Sequence, residues 1–469
     1  MKYDIVIATV PFVYGIPQTG PALLKASLIE AGVSCKVIDW NLDIYNRFND
    51  IINNQALEYA DGDMEKFCFD NLESITLDWI DEIREFNPEW LGLSVYSSRT
   101  SMPIIKNICD LFRQEMPDIK IVAGGHAFST QDNLGKLLLN SKAIDCFIKG
   151  EGEEAIVSLL KNEKETSAFN EILTNQIQDL DSIPFPDYSD TKPISYPEEK
   201  VFIITSRGCI RNCNFCMNYF EKIRFRSSDN VVSEMFDINQ KYNITRFFFA
   251  DSLSNGNPKK LEGIANTIIK YNEDGTMPKI TWGCSFCCLP KRSMNESLYK
   301  IIKKSGCNYI NVGIESGSYE VREDMNKKTK DEDVYFMMEQ LANNKINIDM
   351  NLIVGYYTET ENEFQKTIDM ITKLSSIKDI KMSVNVGPTF ILNKSKRKQL
   401  DIKLDQGGGW FYKENTYPVR VDRWLRLIDH CKITGFEVLI NQKKVILNKL
   451  EMYEKTNKMV ELIEKVETV

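Results

Sequence analysis

The 469-residue chain reads as an α/β protein in three parts. A doubly wound module is expected over residues 1–165, a partial (β/α)6 barrel over 199–400 and a helical extension over 401–469. Three observations predict this. Over the first 160 or so residues, short apolar runs alternate with helix-period segments, the pattern of a parallel sheet covered by helices on both faces. The alternation breaks over 166–198, where Asp179, Asp181, Pro184, Pro186, Asp187, Pro193 and Pro197 crowd together as in a linker. It resumes at Val201 with six further strand–helix repeats, too few for a closed eight-unit barrel.

The N-terminus, Met1-Lys2-Tyr3-Asp4 and then Ile5-Val6-Ile7-Ala8, lacks the layout of a secretory signal and reads as a first strand. Five strands are expected in the first module, at Ile5–Val10, Cys35–Ile38, Trp90–Val95, Ile119–Ala123 and Asp145–Ile148. Helical patterns lie between them, at Pro21–Ala31 (apolar at Leu23, Leu24, Ala26 and Leu28) and at Pro103–Gln114. Ser94, Tyr96, Gly124-Gly125-His126 and Gly150-Glu151-Gly152 follow strand ends, where open α/β sheets bind ligands. The barrel strands are expected at Val201–Thr205, Arg246–Ala250, Lys279–Cys284, Tyr309–Ile314, Ile346–Val354 and Lys381–Val386, with helices such as Val231–Lys241 and Glu361–Leu374 between them. Beyond Thr389 come the basic run Asn393–Lys398 (a solvated loop, or a seat for an anionic substrate tail) and Gly407–Gly409 before Trp410. Residues 420–469 read as helices whose stripe of Leu439, Val445, Ile446, Leu450, Val460 and Ile463 is core packing.

Composition excludes several classes. Apolar residues at 43% and charged residues at 27% describe an ordinary folded chain. Fifty-eight Lys and Arg against 67 Asp and Glu leave −9, which argues against a nucleic-acid partner. No window approaches the roughly 18 apolar residues of a membrane span. Twelve cysteines without an export signal imply a reducing, cytoplasmic setting and no disulfide framework. With only His126 and His430, an imidazole-bound zinc hydrolase or a Ser-His-Asp enzyme has little to work with, so a metal is expected on sulfur.

The sharpest signal is Cys209-Ile-Arg-Asn-Cys213-Asn-Phe-Cys216, just after the first barrel strand. Three thiolates in one loop suit three irons of a 4Fe–4S cubane and leave the fourth iron for an external ligand. Zinc is the competing metal, but no fourth Cys or His lies nearby in sequence to close a tetrahedral site.

This spacing, with Phe215 directly before the last cysteine, resembles the hallmark of radical S-adenosylmethionine (SAM) enzymes. So do Asn311-Val-Gly313-Ile-Glu315-Ser316-Gly317-Ser318, Met325-Asn-Lys327-Lys328-Thr329 and Asn351-Leu-Ile353-Val-Gly355. Tyr356 and Tyr357 depart from the family's usual Leu-Pro or Phe-Pro. Gly124-Gly125-His126, Gly150-Glu151-Gly152-Glu153 and the linker Asp179–Tyr188 resemble the cobalamin-binding branch of that superfamily. Over roughly residues 1–425, the resemblance implies a Rossmann-like (flavodoxin-like) cobalamin domain followed by a radical SAM barrel. It implies a 4Fe–4S cluster on Cys209, Cys213 and Cys216, with SAM on the open iron cleaved to a 5′-deoxyadenosyl radical.

It further implies methyl transfer from methylcobalamin to an unactivated carbon of a small-molecule or biosynthetic-intermediate substrate, with electrons from a flavodoxin or ferredoxin. Rival readings are a rearrangement or cyclisation with the same cofactors, and a non-catalytic iron–sulfur carrier or sensor. Ser94, Tyr96, Gly124, Gly125, His126, Gly150, Glu151 and Gly152 are the expected cobalamin contacts. The loop Pro11–Pro17 lacks the Asp-x-His that ligates cobalt in other cobalamin domains, so no histidine is expected beneath the metal. Phe215, Asp251 and Glu315 are expected beside SAM or substrate, the two carboxylates in catalytic roles. Cys284, Cys287 and Cys288 are core thiols, with one of Cys284 and Cys288 pointing to the active site or, less simply, all three holding an auxiliary cluster. Trp410 and Tyr417-Pro418 through Arg423-Trp424 are expected to cap the barrel mouth.

Overall fold

The computed structural model describes residues 2–11, 15–54, 63–96, 102–130, 133–161, 170–216, 222–377, 381–387, 399, 402–404, 410–439 and 450–451. The chain packs as two compact units. One is built from the N-terminal part through Ile203 together with Arg224–Phe248, the other from Ile204–Ile223 and the chain from Phe249 onward. The run Asn393–Lys398, Gly407–Gly409, Phe12–Tyr14 and the stripe positions Val445, Ile446, Val460 and Ile463 lie outside the described residues.

The first unit holds a six-stranded sheet of β1 (Ile5–Thr9), β2 (Cys35–Ile38), β3 (Trp90–Ser94), β4 (Lys120–Gly124), β5 (Cys146–Lys149) and β6 (Asn170–Leu173), in the order β2-β1-β3-β4-β5-β6. Every neighbouring pair is parallel. The strands are apolar on both faces because helices cover both, so Ile5, Ile7, Val37, Trp90, Val122 and Ile148 share a core with Leu28 and Ile156 of the flanking helices Thr19–Glu30 and Glu153–Lys161. The strand order reverses between β1 and β3, and their register sets Thr9 beside Ser94 and Ser94 beside Gly124. A crevice therefore opens at the carboxyl ends of β1, β3 and β4.

Five strands were expected and six form. β6 lies inside the segment read as linker; it is a four-residue edge strand with Leu173 71% exposed, and so lacks the two-sided apolar run that betrays a central strand. The rest of that segment is tied to its own unit. Lys25 donates to Asp190 and Ser189 (2.6 Å each), Lys36 donates to Asp190 (2.8 Å), and the Tyr196 hydroxyl donates to buried Asp39.

The strands that follow are β7 (Lys200–Ile203), the two-residue β8 (Ser206–Arg207) and β9 (Arg224–Phe225), β10 (Arg246–Phe249), β11 (Thr281–Cys287), β12 (Cys307–Glu315), β13 (Asn347–Ile353), β14 (Met382–Gly387), β15 (Lys403–Leu404), β16 (Trp410–Phe411) and β17 (Glu437–Leu439). A seven-stranded sheet runs β17-β14-β13-β12-β11-β10-β7, and the pairs from β11 to β17 are parallel. All six expected barrel strands are present, and β17 adds a seventh. It corrects the expected helix: Gly435, at φ +87°, stops helix Tyr417–Ile433, and Leu439 lies in a strand rather than on a helical stripe. Among the described residues no helix is long and apolar enough to cross a membrane.

Candidate active site

The cysteine loop is anchored at its start by Asp251. This buried carboxylate accepts the Thr205 N–H (2.8 Å), the Thr205 hydroxyl (2.6 Å) and the Ser206 N–H (2.8 Å). Burial pushes its pKa up and these bonds pull it back. Both oxygens are thus engaged by the chain itself, so Asp251 shapes the turn into the loop rather than presenting a carboxylate to a ligand.

The loop is then sewn to the segment Asp324–Lys327. The Asn214 N–H donates to Met325 O (3.1 Å) and its side-chain amide to Asp324 O, while Asn326 Nδ2 donates to Asn212 O (2.7 Å). Arg211 reaches Lys327 O (2.7 Å) and Cys288 O (3.3 Å), and its own N–H points to Cys209 Sγ (3.4 Å). Cys213 is buried, and Cys209 and Cys216 are half-buried. Burial raises the Cys209 thiol and pushes Cys213 up to about 11; at Cys213 the Lys327 charge opposes the rise, whereas the thiolates of Cys216 and Cys209 add to it.

Among the described residues no three His, Cys, Asp or Glu groups converge as on a single ion. Three mutually interacting thiols in a half-open loop fit a 4Fe–4S cluster with one iron left over.

Beside Cys213 stands an ion pair. Glu315 ends β12 in the left-handed region (φ +74°), at a register shift after Gly313. Lys327 Nζ donates to Glu315 Oε1 (2.8 Å) and to Gly313 O (2.7 Å), and the two side chains are 6% and 11% exposed for Lys327 and Glu315. Burial disfavours the ammonium, but Glu315 outweighs it and the Lys327 pKa rises. Phe215 packs on the cluster of Val321, Met325, Tyr356 and Tyr357, so the tyrosines that replace the family's usual residues fill space under the cysteine loop. Asn415 holds their loop from the other side, donating to the carbonyls of Tyr356 (3.2 Å), Tyr357 (3.1 Å) and Glu359 (2.9 Å). Buried Arg420 and Arg423, from the segment read as a cap, bond Asn415 and Glu359, so this segment braces the loop Gly355–Glu359.

Cys284, Cys287 and Cys288 are buried, and burial pushes Cys288 up to about 12. Asn255 pairs with both backbone groups of Cys287 (2.8 and 3.1 Å). Lys327, Arg211 and Asn415 escaped sequence reading. Lys327 and Arg211 carried a local signal, since they lie in the Met325–Thr329 motif and the cysteine loop.

In the first unit, the crevice at the carboxyl edge is a slot whose lining includes Ile7, Leu24, Val122, Ile148 and Ile156, along with six glycines: Gly20, Gly92, Gly124, Gly125, Gly150 and Gly152. Gly125 has φ +103°, and a Cβ there would stand 2.6 Å from Val95 O. Ser94 lines the slot; Tyr96, His126 and Glu151 do not. Glu151 turns to Arg224 (2.6 and 3.1 Å) and the Ile177 N–H (2.6 Å), a buried structural pairing. His126 opens the helix His126–Thr130 with its ring 6.0 Å from that of Tyr96. A mainly apolar slot with a glycine floor and Glu153 in its lining would take the tail of a cobalamin.

Comparison with known proteins covers both parts of the chain. Residues 4–160 match the B12 binding domain model and residues 203–371 the radical SAM superfamily model. An uncharacterized methyltransferase of Pyrococcus horikoshii is 25% identical over 344 residues, covering 68% of this chain and 70% of that one. The anaerobic magnesium-protoporphyrin IX monomethyl ester cyclase of Cereibacter sphaeroides is 24% identical over 316 residues, covering 62% of this chain and 50% of the relative. The radical SAM methyltransferase TsrM from Kitasatospora setae, solved with cobalamin and a 4Fe–4S cluster, superposes with a TM-score of 0.64 at 16% identity, over 85% of this chain and 78% of that one. The cobalamin-dependent enzyme OxsB, solved with aqua-cobalamin, gives 0.60 at 17% identity, over 81% of this chain and 53% of that one. With a B12-binding domain followed by a radical SAM domain on one chain, and a fold shared with TsrM and OxsB, the protein belongs to the cobalamin-binding radical SAM enzymes.

Proposed function

We propose that this enzyme is a methyltransferase that alkylates an unactivated carbon of a small molecule, using a 4Fe–4S cluster on Cys209, Cys213 and Cys216, SAM and cobalamin. The observation that carries the reading is the pairing of two distinct ligand-ready edges on one chain: the three-thiol loop and the glycine-floored slot. An iron–sulfur carrier needs neither a slot nor a barrel. The methyltransferase names of the Pyrococcus horikoshii relative and of TsrM support methylation over rearrangement; the cyclase relative keeps ring formation as the second reading. When bound, the cluster, SAM and cobalamin supply radical generation and methyl carriage.

This chain's residues do the rest. Asp251 sets the angle at which the loop leaves Ser206, and Arg211, Asn214 and Asn326 lock it to Asp324–Lys327, so that the thiols are held before a cluster arrives. Lys327 places a fixed positive charge beside Cys213, favouring the thiolate that metal binding needs. Glu315 neutralises that charge and, at a strand end, can receive an ammonium group in its place. The buried tyrosine pair and Phe215 close the underside of the loop to water. Reducing electrons are proposed to come from a flavodoxin or ferredoxin.

The test is anaerobic reconstitution followed by reduction with SAM present. Iron for one cluster, bound cobalt and 5′-deoxyadenosine are expected, and Cys209→Ala, Cys213→Ala or Cys216→Ala each abolishes the nucleoside. A second full cluster surviving the triple variant would overturn the single-cluster assignment, and a cluster-loaded protein that retains no cobalamin would sink methyl transfer.

A further inference from the structure

The sheet face that the helices leave uncovered has an unusual composition. On β12 the burial alternates: Ile310, Val312 and Ile314 are fully buried, while Tyr309, Asn311 and Gly313 are half-buried. On β13, Ile348, Met350 and Leu352 are buried, while Asp349, Asn351 and Ile353 are half-buried. Both are central strands. Their apolar face meets the helices Glu296–Lys304 and Asp331–Asn343, which pack on β12 and β13 respectively. A central strand of a parallel sheet normally buries both faces and reads apolar throughout; here the alternate positions Tyr309, Asn311, Asp349 and Asn351 are polar and keep access to solvent.

Register arranges these residues in rows, since side chains on registered positions of parallel strands point the same way. Ser285, Asn311, Asp349, Ser383 and Glu437 form one row across β11, β12, β13, β14 and β17. Gly313 and Asn351 lie in the next row toward the cysteine loop. Within this face Asn351 Nδ2 donates to Asn311 Oδ1 (2.6 Å), and the Tyr309 hydroxyl donates to Asp349 Oδ2. Asp349 and burial together push the Tyr309 phenol up, so it remains a donor. At the sheet edge Glu437 is neutralised by Lys381 (2.9 Å). Asp349 is then the carboxylate that lacks a cationic side chain within ion-pair distance among the described residues of these rows; amides and hydroxyls flank it in the rows, and the Lys381 ammonium acts on it from farther off.

We propose that this face is the substrate seat and that it selects a small molecule carrying a protonated amine, which Asp349 receives while Asn311, Asn351 and Ser285 hydrogen-bond the neighbouring polar groups. The inference rests on the enzyme reading above and names its substrate class. A half-buried carboxylate among hydroxyl and amide groups attracts a cation and repels a carboxylate or phosphate. Asn311 lies four residues before Glu315 on the same strand, about 13 Å along it at roughly 3.3 Å per residue. An amine held at Asp349 therefore leaves the rest of a mid-sized molecule reaching toward the cysteine loop, so the reacting carbon lies several bonds from the nitrogen.

The test uses two probes of matched shape, phenethylamine and 3-phenylpropionate, with cluster-loaded protein and saturation-transfer NMR. The amine should bind about tenfold tighter than the acid, the discrimination of one charge-assisted hydrogen bond. Asp349→Asn should erase that preference, and Glu437→Gln should keep it. Asn311→Asp is the second variant, which keeps Asp349 and its bond from Tyr309 in place: an added carboxylate in the same row should raise the preference for the amine. The proposal falls if the acid binds as well as the amine, if neither probe binds, or if the preference survives Asp349→Asn or ignores Asn311→Asp. Formation of 5′-deoxyadenosine by the same preparations, measured without probe, reports on the enzyme reading separately.

Discussion

Replacing Lys327 by Met tests whether the Glu315–Lys327 pair is what holds the end of β12 beside the cysteine loop. At 2.8 Å, with both side chains almost fully buried, the gross attraction is about 6 kcal/mol at an effective dielectric of 20. The net worth is smaller, because both ions lost their hydration on folding, but removing one partner strands the other. Lys327→Met leaves Glu315 buried and unpaired and Gly313 O without its donor, so the second unit should lose about 3–5 kcal/mol. Glu315 also sits in the left-handed region, a strain of about 1–3 kcal/mol that the pair helps to hold in place. Glu315→Gln alone should be costly as well, whereas Lys327→Met with Glu315→Gln should recover at least about 2 kcal/mol of the summed losses.

The assay is urea unfolding of the cluster-free full chain, read by peptide-resolved thiol labelling of Cys284, which is fully buried in the second unit. A second readout is alkylation of Cys213 in the folded chain. Without the Lys327 charge its thiol should ionise less readily and react more slowly at pH 8. Single variants that cost under about 1 kcal/mol, or a double variant equal to their sum within about 0.5 kcal/mol, would refute the coupling.

Three further outcomes are expected. Burial pushes the Glu359 carboxyl up to about 7 from the ordinary 4.5 of a glutamate, against the pull of the Gly355 N–H and Arg423. The folded chain therefore keeps a proton that the unfolded chain has released, and stability declines as pH rises from about 4.5 to 7. By pH 8 the cost is about 3 kcal/mol, so Glu359→Gln should unfold at higher urea than the parent at pH 8 and show a shallower dependence from pH 5 to 8; identical slopes would remove the argument. Gly125→Ala should lower cobalamin retention, because the left-handed backbone costs about 1–3 kcal/mol with a side chain and the new Cβ meets Val95 O; cobalt content unchanged by the substitution would show that the slot does not need this turn. In bound Co(II)-cobalamin, the axial nitrogen splitting should be absent and His126→Ala should leave the spectrum unaltered, whereas a splitting lost in that variant would make His126 the lower ligand.

Much of this protein was legible in one dimension. Local apolar runs fix which segments become strands, and the Cys209–Cys216 spacing is a loop-scale property that needs no tertiary information, so the architecture and the three-cysteine loop could be read from the chain itself. Edge elements could not. β6 and β17 are four and three residues long, and strands half exposed at a sheet edge carry no two-sided apolar signature.

The roles of individual carboxylates were decided only by folding. Asp251, Glu151 and Glu315 look alike in the sequence as polar residues near strand ends. One is consumed by Thr205 and Ser206, one by Arg224, and one by Lys327, 12 residues away in sequence. A carboxylate's chemistry depends on its partners, and those partners are set by long-range register and packing. Asp349 shows the reverse case: it passed unremarked in the sequence, and only the alignment of β11, β12, β13 and β14 places it in a polar row on a central sheet. Strand identity comes from short-range sequence pattern, whereas the neighbours across a sheet come from chain topology, which no local window contains.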